Sequence, residues 1–198
     1  KAERDATIRW LDATIGGKWT QLSLRTILNL PGAQSEKRGL FLGNNNHVLD
    51  INVETIHKAK HTKSTMYHRG VLRDRARTIY RGKIKIERES KHTTADQKAE
   101  ALILGEGARC DAVPMLEVEN DEVICSHGAT VGHINDEKLF YLTSRGLDES
   151  SAKKVAVAGF LEPIIQKFPS SLHQGIRETV SLKLDLYHGT NETLETEH

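Results

Sequence analysis

A mainly β protein that ends in two or three short helices is the expectation, and three features of the 198-residue sequence support it. Short β-rich runs (TIRWLDATI, TQLSLRTILNL, HVLDINVETI, RTIYRGKIKI and EALILG) follow one another, separated by Gly, Asn or charged turns. No helix-period segment interrupts them before about residue 136. Beyond that point apolar residues recur at helical spacing. Strands without crossover helices leave three architectures open, a sandwich, a barrel or a stacked coil. The runs are irregularly spaced, so no strict hexapeptide or nonapeptide repeat chooses among them.

Each element has a local reason. Within Arg81–Glu87, Ile84 and Ile86 point one way while Lys83, Lys85 and Glu87 point the other, the alternation of a half-buried strand. Small residues sit where strands end, as at Gly16-Gly17, Gly43, Gly105 and Gly128. The first helix spans Asp136 to Ser144, starts acidic and stops at Arg145-Gly146. Asp148 caps a second helix to about Phe168, with Val155, Ala158, Leu161, Ile165 and Phe168 on one face and a kink or break at Pro163. Ser170 or Ser171 caps a third, with Leu172, Ile176, Val180, Leu184 and Tyr187 as its stripe. The expected division is a β domain over 1–134, a helical domain over 135–188 and a flexible tail over 189–198.

Composition narrows the function classes. A formal net charge of +1 argues against a nucleic-acid partner or an acidic membrane surface. No apolar run approaches the roughly 20 residues of a bilayer span. Cys110 and Cys125 form neither a CxxC pair nor a disulfide framework, which fits a reducing, cytoplasmic setting. The first residue is Lys rather than Met, and an apolar segment begins within a few residues, so a longer chain is expected upstream.

Several constellations invite chemistry. His57 and His61 would share a face on a helix and suit a metal, but the β-branched residues around them favour extended chain. Basic residues between Arg73 and Arg88 are interleaved with Asp74 and Glu87 and accompanied only by Tyr80, the pattern of a solvated strand face. The Gly-rich pieces lack the Lys-Ser/Thr of a phosphate loop. In ENDEVICSHGATVGHI (119–134), Ser126 and His127 fall on opposite faces of a strand, so they make no nucleophile–base pair. Cys125 and His127 share a face if the strand stays regular. Two ligands do not complete a metal site, and others would have to come from another strand or another chain.

The stretch from Leu102 to Pro169 resembles the end of the SufB/SufD family of iron–sulfur cluster assembly proteins. The matching signatures are P-x-L-E-V at Pro114–Val118, CSHGATVG at 125–132, LFYLTSRG at 139–146 and the helix ending at Gly159-Phe160. Upstream, VETIHKAKHTKST and GVLRDRARTIYRGKIKI are similar to family segments, so the resemblance covers about residues 40–170. It implies a right-handed parallel β-helix, incomplete at its N-terminus, carrying a small C-terminal α-helical domain. It also implies a scaffold without enzymatic activity of its own. The last rungs would pair with a SufB-like subunit or a second copy, and the helices, with Phe140, Tyr141, Arg145 and Phe160, would dock a SufC-like ABC ATPase. His127, then Cys125, would be the interface residues and iron ligands of a transient iron–sulfur cluster, with none bound in the isolated chain. SufB-type members carry an EHEATT sequence whose second Glu falls on Gly128, and a Cys at about the position of Ala99. Both hallmarks are absent, so the resemblance is to SufD. Two other classes stay open: an interaction or dimerisation module without cluster chemistry, and a carbohydrate-cleaving β-helix enzyme. The enzyme would need carboxylates clustered along a groove, and no such run is present.

Overall fold

The computed structural model describes residues 1–185. Nine strands come first: β1 (Thr7–Ile15), β2 (Trp19–Leu28), β3 (Gln34–Gly43), β4 (Val48–His57), β5 (Lys63–Leu72), β6 (Arg77–Ile86), β7 (Thr93–Ile103), β8 (Arg109–Val118) and β9 (Val123–His133). The odd strands form one sheet in the order β1-β3-β5-β7-β9 and the even strands a second, β2-β4-β6-β8. Every pairing is parallel, and the chain changes sheet at each turn. The result is a parallel β-helix of about four turns, so the stacked coil is the architecture formed. In one sheet Thr7 lies beside Gln34, Gln34 beside Lys63 and Lys63 beside Thr94, steps of 27, 29 and 31 residues. In the other, Val48 pairs with Arg77 and Arg77 with Arg109, steps of 29 and 32. This drift is why no fixed repeat is visible in the sequence.

The strands β3 and β5, and the first half of β7, were absent from the sequence-derived runs. The reason lies in what the coil buries. Its interior holds Phe41, Leu49, Ile51, Val53, Met66, Leu72, Tyr80, Ile84 and Ile86, but also the polar Ser35, Lys37, Thr55, His57, Ser64, His68 and Gln97. In those three strands polar residues take inward positions, which erases the apolar/polar contrast that marks a half-buried strand.

One corner is a ladder of left-handed residues, Asp5 (φ 54°), Gly32 (75°), His61 (58°) and His92 (55°). Each donates its backbone N–H to the next rung: Asp5 to Pro31 O, Gly32 to Lys60 O, His61 to Lys91 O and His92 to Glu122 O, at 2.7–3.4 Å. These bonds offset the conformational cost of left-handed backbone at non-glycine positions, about 1–2 kcal/mol per residue.

The Cα packing separates Lys1–Ile134 from a second unit that begins at Asn135. Its helices are α1 (Asp136–Ser144), α2 (Glu149–Ile165) and α3 (Ser170–Asp185). Asn135 caps α1 by accepting from the backbone N–H of Glu137 (2.7 Å) and Lys138 (3.3 Å). Gly146, at φ 94°, closes it, as expected. Asp148 caps α2 through the Ser151 N–H at 3.0 Å. The α2 helix stops at Ile165, two residues after Pro163 and short of Phe168. Its buried residues are Ala152, Val157, Leu161, Ile164 and Ile165, so Val155 and Ala158 do not belong to the packed face. Apolar residues surround most of α2, and spacing alone does not choose the face that packs. The α2 and α3 helices are joined by Glu162, which accepts two hydrogen bonds from the Arg177 guanidinium. Tyr187, the expected domain end at 188 and the tail over 189–198 lie outside the described residues.

Candidate functional site

The β8 and β9 strands close the strand order of their sheets, so one edge of each has no strand neighbour among the described residues. In β7 the burial alternates, with Ala95, Gln97 and Ala99 inside and Asp96 and Lys98 outside. Register then places β9: Ala95 lies beside Cys125, Asp96 beside Ser126, Gln97 beside His127 and Ala99 beside Ala129. Ser126 donates its hydroxyl proton to the Asp96 carboxylate on the outer face. Cys125 and His127 therefore occupy inward positions of the last rung, on one face, while Ser126 points the other way. Cys125 is half-buried against the core and His127 is exposed because the coil ends there. Apolar side chains are exposed on the same two strands, at Val113, Val118, Ile124 (75%) and Val131.

Beneath His127, Gln97 is 1% exposed, and neither Nε2 nor Oε1 has a hydrogen-bond partner in the described chain. The amide reaches across the coil to Gly82, where a Cβ would overlap it. Sequence reading passed over Gln97 because its inward position follows only from the strand register.

The other anticipated residues are placed as follows. Phe140 (75% exposed) and Tyr141 (58%) project from α1, and the Arg145 guanidinium lies 5.3 Å from the Tyr141 ring centroid. Phe160 is half-buried on α2. His57 and His61 are not joined by a helix. His57 is buried with Nδ1 2.8 Å from Thr62 Oγ1 and Nε2 2.8 Å from Ser64 Oγ, whereas His61 sits at the corner, stacked on His92 at 4.9 Å. Among the described residues no group of three His, Cys, Asp or Glu side chains is placed to hold a metal ion. The basic run is an outer face of paired charges: Arg81 with Asp50, Lys83 with Glu117 (2.6 Å) and Lys85 with Glu119 (3.3 Å). No helix among the described residues is long and apolar enough to cross a membrane.

Of the two cysteines, Cys110 has its thiol pushed up to about 12, by burial first and by Asp111 second. At pH 8 it is expected to react with iodoacetamide more than about a hundredfold more slowly than free cysteine. Mass mapping of time-quenched samples checks this, and modification at the free-cysteine rate would contradict it.

Two buried polar groupings were also invisible in the sequence. Lys37 Nζ donates to Thr55 Oγ1 (2.5 Å) and Ser35 Oγ (3.4 Å) inside the coil, and burial lowers its pKa to about 7 against the opposing pull of Glu54. His68 bridges Asp12 Oδ1 (Nε2, 3.3 Å) and Tyr80 OH (Nδ1, 3.1 Å). Gly39 lies between Asp12 and His68 in register, and any side chain there would overlap both.

Residues 1–160 match the family model described as "SUF system FeS cluster assembly, SufBD core domain". An iron–sulfur cluster assembly SufBD family protein of Staphylococcus saprophyticus is 31% identical over 165 residues, 83% of this chain and 36% of that protein. A protein of the same description from Mycobacterium tuberculosis strain H37Rv is 31% identical over 186 residues, 93% of this chain and 22% of that protein. The chain thus spans about a third of the first relative's length and about a fifth of the second's.

Proposed function

This chain belongs to the SufBD family of iron–sulfur cluster assembly proteins, and from that membership we propose that it is a scaffold subunit of SufD character in a SUF-type complex. The observation that carries the proposal is the position of His127 and Cys125, on the inward face of an uncovered last rung. A SufB-like subunit, or a second copy, pairs with the β8 and β9 edges and their exposed Val118, Ile124 and Val131. A nascent cluster, the cargo rather than a resident group, is held where the partner supplies the ligands that two side chains cannot. The α1 face with Phe140, Tyr141 and Arg145, together with Phe160 of α2, docks a SufC-like ABC ATPase. The ATP chemistry is the partner's, and the setting is cytoplasmic.

His127→Ala tests the role of the imidazole. Loss of an exposed side chain leaves folding within about 0.5 kcal/mol of the parent. Cluster formed in anaerobic reconstitution with the SufB-like and ATPase partners, read by iron content and visible absorption, is expected to fall by on the order of tenfold. Undiminished assembly removes His127 from the site.

The absence of a three-ligand group among the described residues favours a second reading, a pairing module that contributes geometry alone. That reading expects the His127/Cys125 double variant to support assembly at the parental level.

A further inference from the structure

We infer that Gln97 is a positioning residue for His127: its buried amide, one rung below, hydrogen-bonds the imidazole when the ring turns inward and so decides which ring nitrogen faces out of the coil. The inference rests on the reading of His127 as an interface group. Gln97 carries two polar atoms into an interior layer where Ala95, Ala99 and Met66 are its apolar neighbours, and no group of the described chain bonds either atom. The space it fills exists because position 82 is glycine. An apolar side chain of equal length would fill that space without stranding an amide, so packing does not explain a glutamine there.

The coil leaves few partners for it. On the rung below, the register neighbour is Met66, whose thioether already accepts from Thr55 Oγ1 at 3.5 Å. On the rung above, the inward positions around the register point are Cys125, His127 and Ala129. Of these, only His127 carries a strong donor and acceptor. Its ring has no protein partner in the described chain and is exposed, so it has freedom to turn. When Gln97 Oε1 accepts the ring N–H, the other nitrogen presents its lone pair outward as a ligand. When Nε2 donates instead, the outward nitrogen carries the proton. A primary amide serves both states by rotating, which a carboxylate or an aliphatic side chain does not.

The test uses the whole chain with ¹⁵N-labelled histidine at pH 8, where Nδ1 and Nε2 chemical shifts report the tautomer ratio of each ring. His127 is assigned by loss of its signals in His127→Ala. In the parent, the His127 ratio is expected to differ from that of free imidazole by about threefold to tenfold, the worth of one hydrogen bond. In Gln97→Met, which keeps the packing, it is expected to return to the free value while the other histidine signals stay in place. The thermal midpoint of Gln97→Met is expected to equal or exceed the parent's, because a stranded amide has been removed. An unchanged His127 ratio in Gln97→Met overturns the inference. So does a fall in midpoint with no change in ratio, which would give the amide a purely structural role. The two readings fail separately. Coupling between Gln97 and His127 alongside full cluster assembly by His127→Ala would sink the role of His127 but not the contact. Impaired assembly without coupling would sink only the contact.

Discussion

Urea unfolding of the β-helix is expected to need more denaturant at pH 8.5 than at pH 7, by about 2 kcal/mol in free energy, and the difference is expected to vanish in Lys37→Met. Burial holds the Lys37 amine near 7, against a model value of 10.5. Between those limits the unfolded chain binds a proton that the folded chain does not, so stability rises with pH. Below about 7 both states carry the proton and the dependence ends. Each pH unit inside the window is worth about 1.4 kcal/mol. The upper end is set by Cys110, an acid raised by burial: above about 9 the unfolded thiol ionises while the folded one does not, and stability is lost again. His57 acts at lower pH. Its pKa is lowered to about 4 by burial and then by the charge of Lys37, so stability falls as pH drops from 6.5 towards 4. At pH 7, Lys37→Met is expected to be more stable by on the order of 2 kcal/mol, since an apolar side chain replaces a half-charged one and strands only the Thr55 and Ser35 hydroxyls. Trp10 and Trp19, the two tryptophans, lie in β1 and β2, so their fluorescence reports this unit. A flat parental profile between pH 7 and 8.5 would mean that Lys37 is charged in the folded coil.

Lys37 also shows why part of this fold was hidden in the sequence. Where inward residues are apolar and outward ones charged, as from Arg81 to Ile86, alternation identified the strand and its faces. Where Ser35 and Lys37, or Ser64 and His68, point inward, the same rule found no strand, and β3 and β5 read as polar connections. The helices of the second unit were legible through their ends, because Asn135, Gly146 and Asp148 act within one turn of their own positions. The buried face of α2 was not, since which apolar side packs is decided by neighbouring helices. The same distinction holds at the end of the coil. That Cys125 and His127 share a face follows from strand periodicity. That Gln97 lies beneath them depends on a 30-residue step between β7 and β9 (Gln97 beside His127), and such steps vary from 27 to 32 along the coil. Local chemistry is readable from local sequence, whereas vertical neighbours in a coil of uneven rungs are not.

The substitution with the largest expected cost to the β-helix is Tyr80→Ala. Tyr80 is 1% exposed, with its ring stacked against Phe41 at a centroid distance of 6.4 Å and its hydroxyl 3.1 Å from His68 Nδ1. Removing a buried aromatic ring costs about 3–5 kcal/mol in lost transfer energy and residual cavity. The surroundings of Tyr80 set the cost towards the upper end. Strands on both sides are held in parallel register, so the coil has little freedom to collapse into the space. Tyr80→Phe separates packing from polarity. It keeps the ring and strands only His68 Nδ1, whose other nitrogen stays with Asp12, at an expected cost of about 1–2 kcal/mol. The hydroxyl itself is held protonated well beyond its ordinary range, by burial first and by the Asp12 charge second. Tyrosine ionisation followed by ultraviolet absorbance should therefore show this phenol titrating only as the coil unfolds at high pH. The decisive measurement is urea unfolding of both variants at pH 7. If Tyr80→Phe costs as much as Tyr80→Ala, the hydrogen bond through His68 to Asp12, rather than the aromatic packing, holds this layer of the coil together.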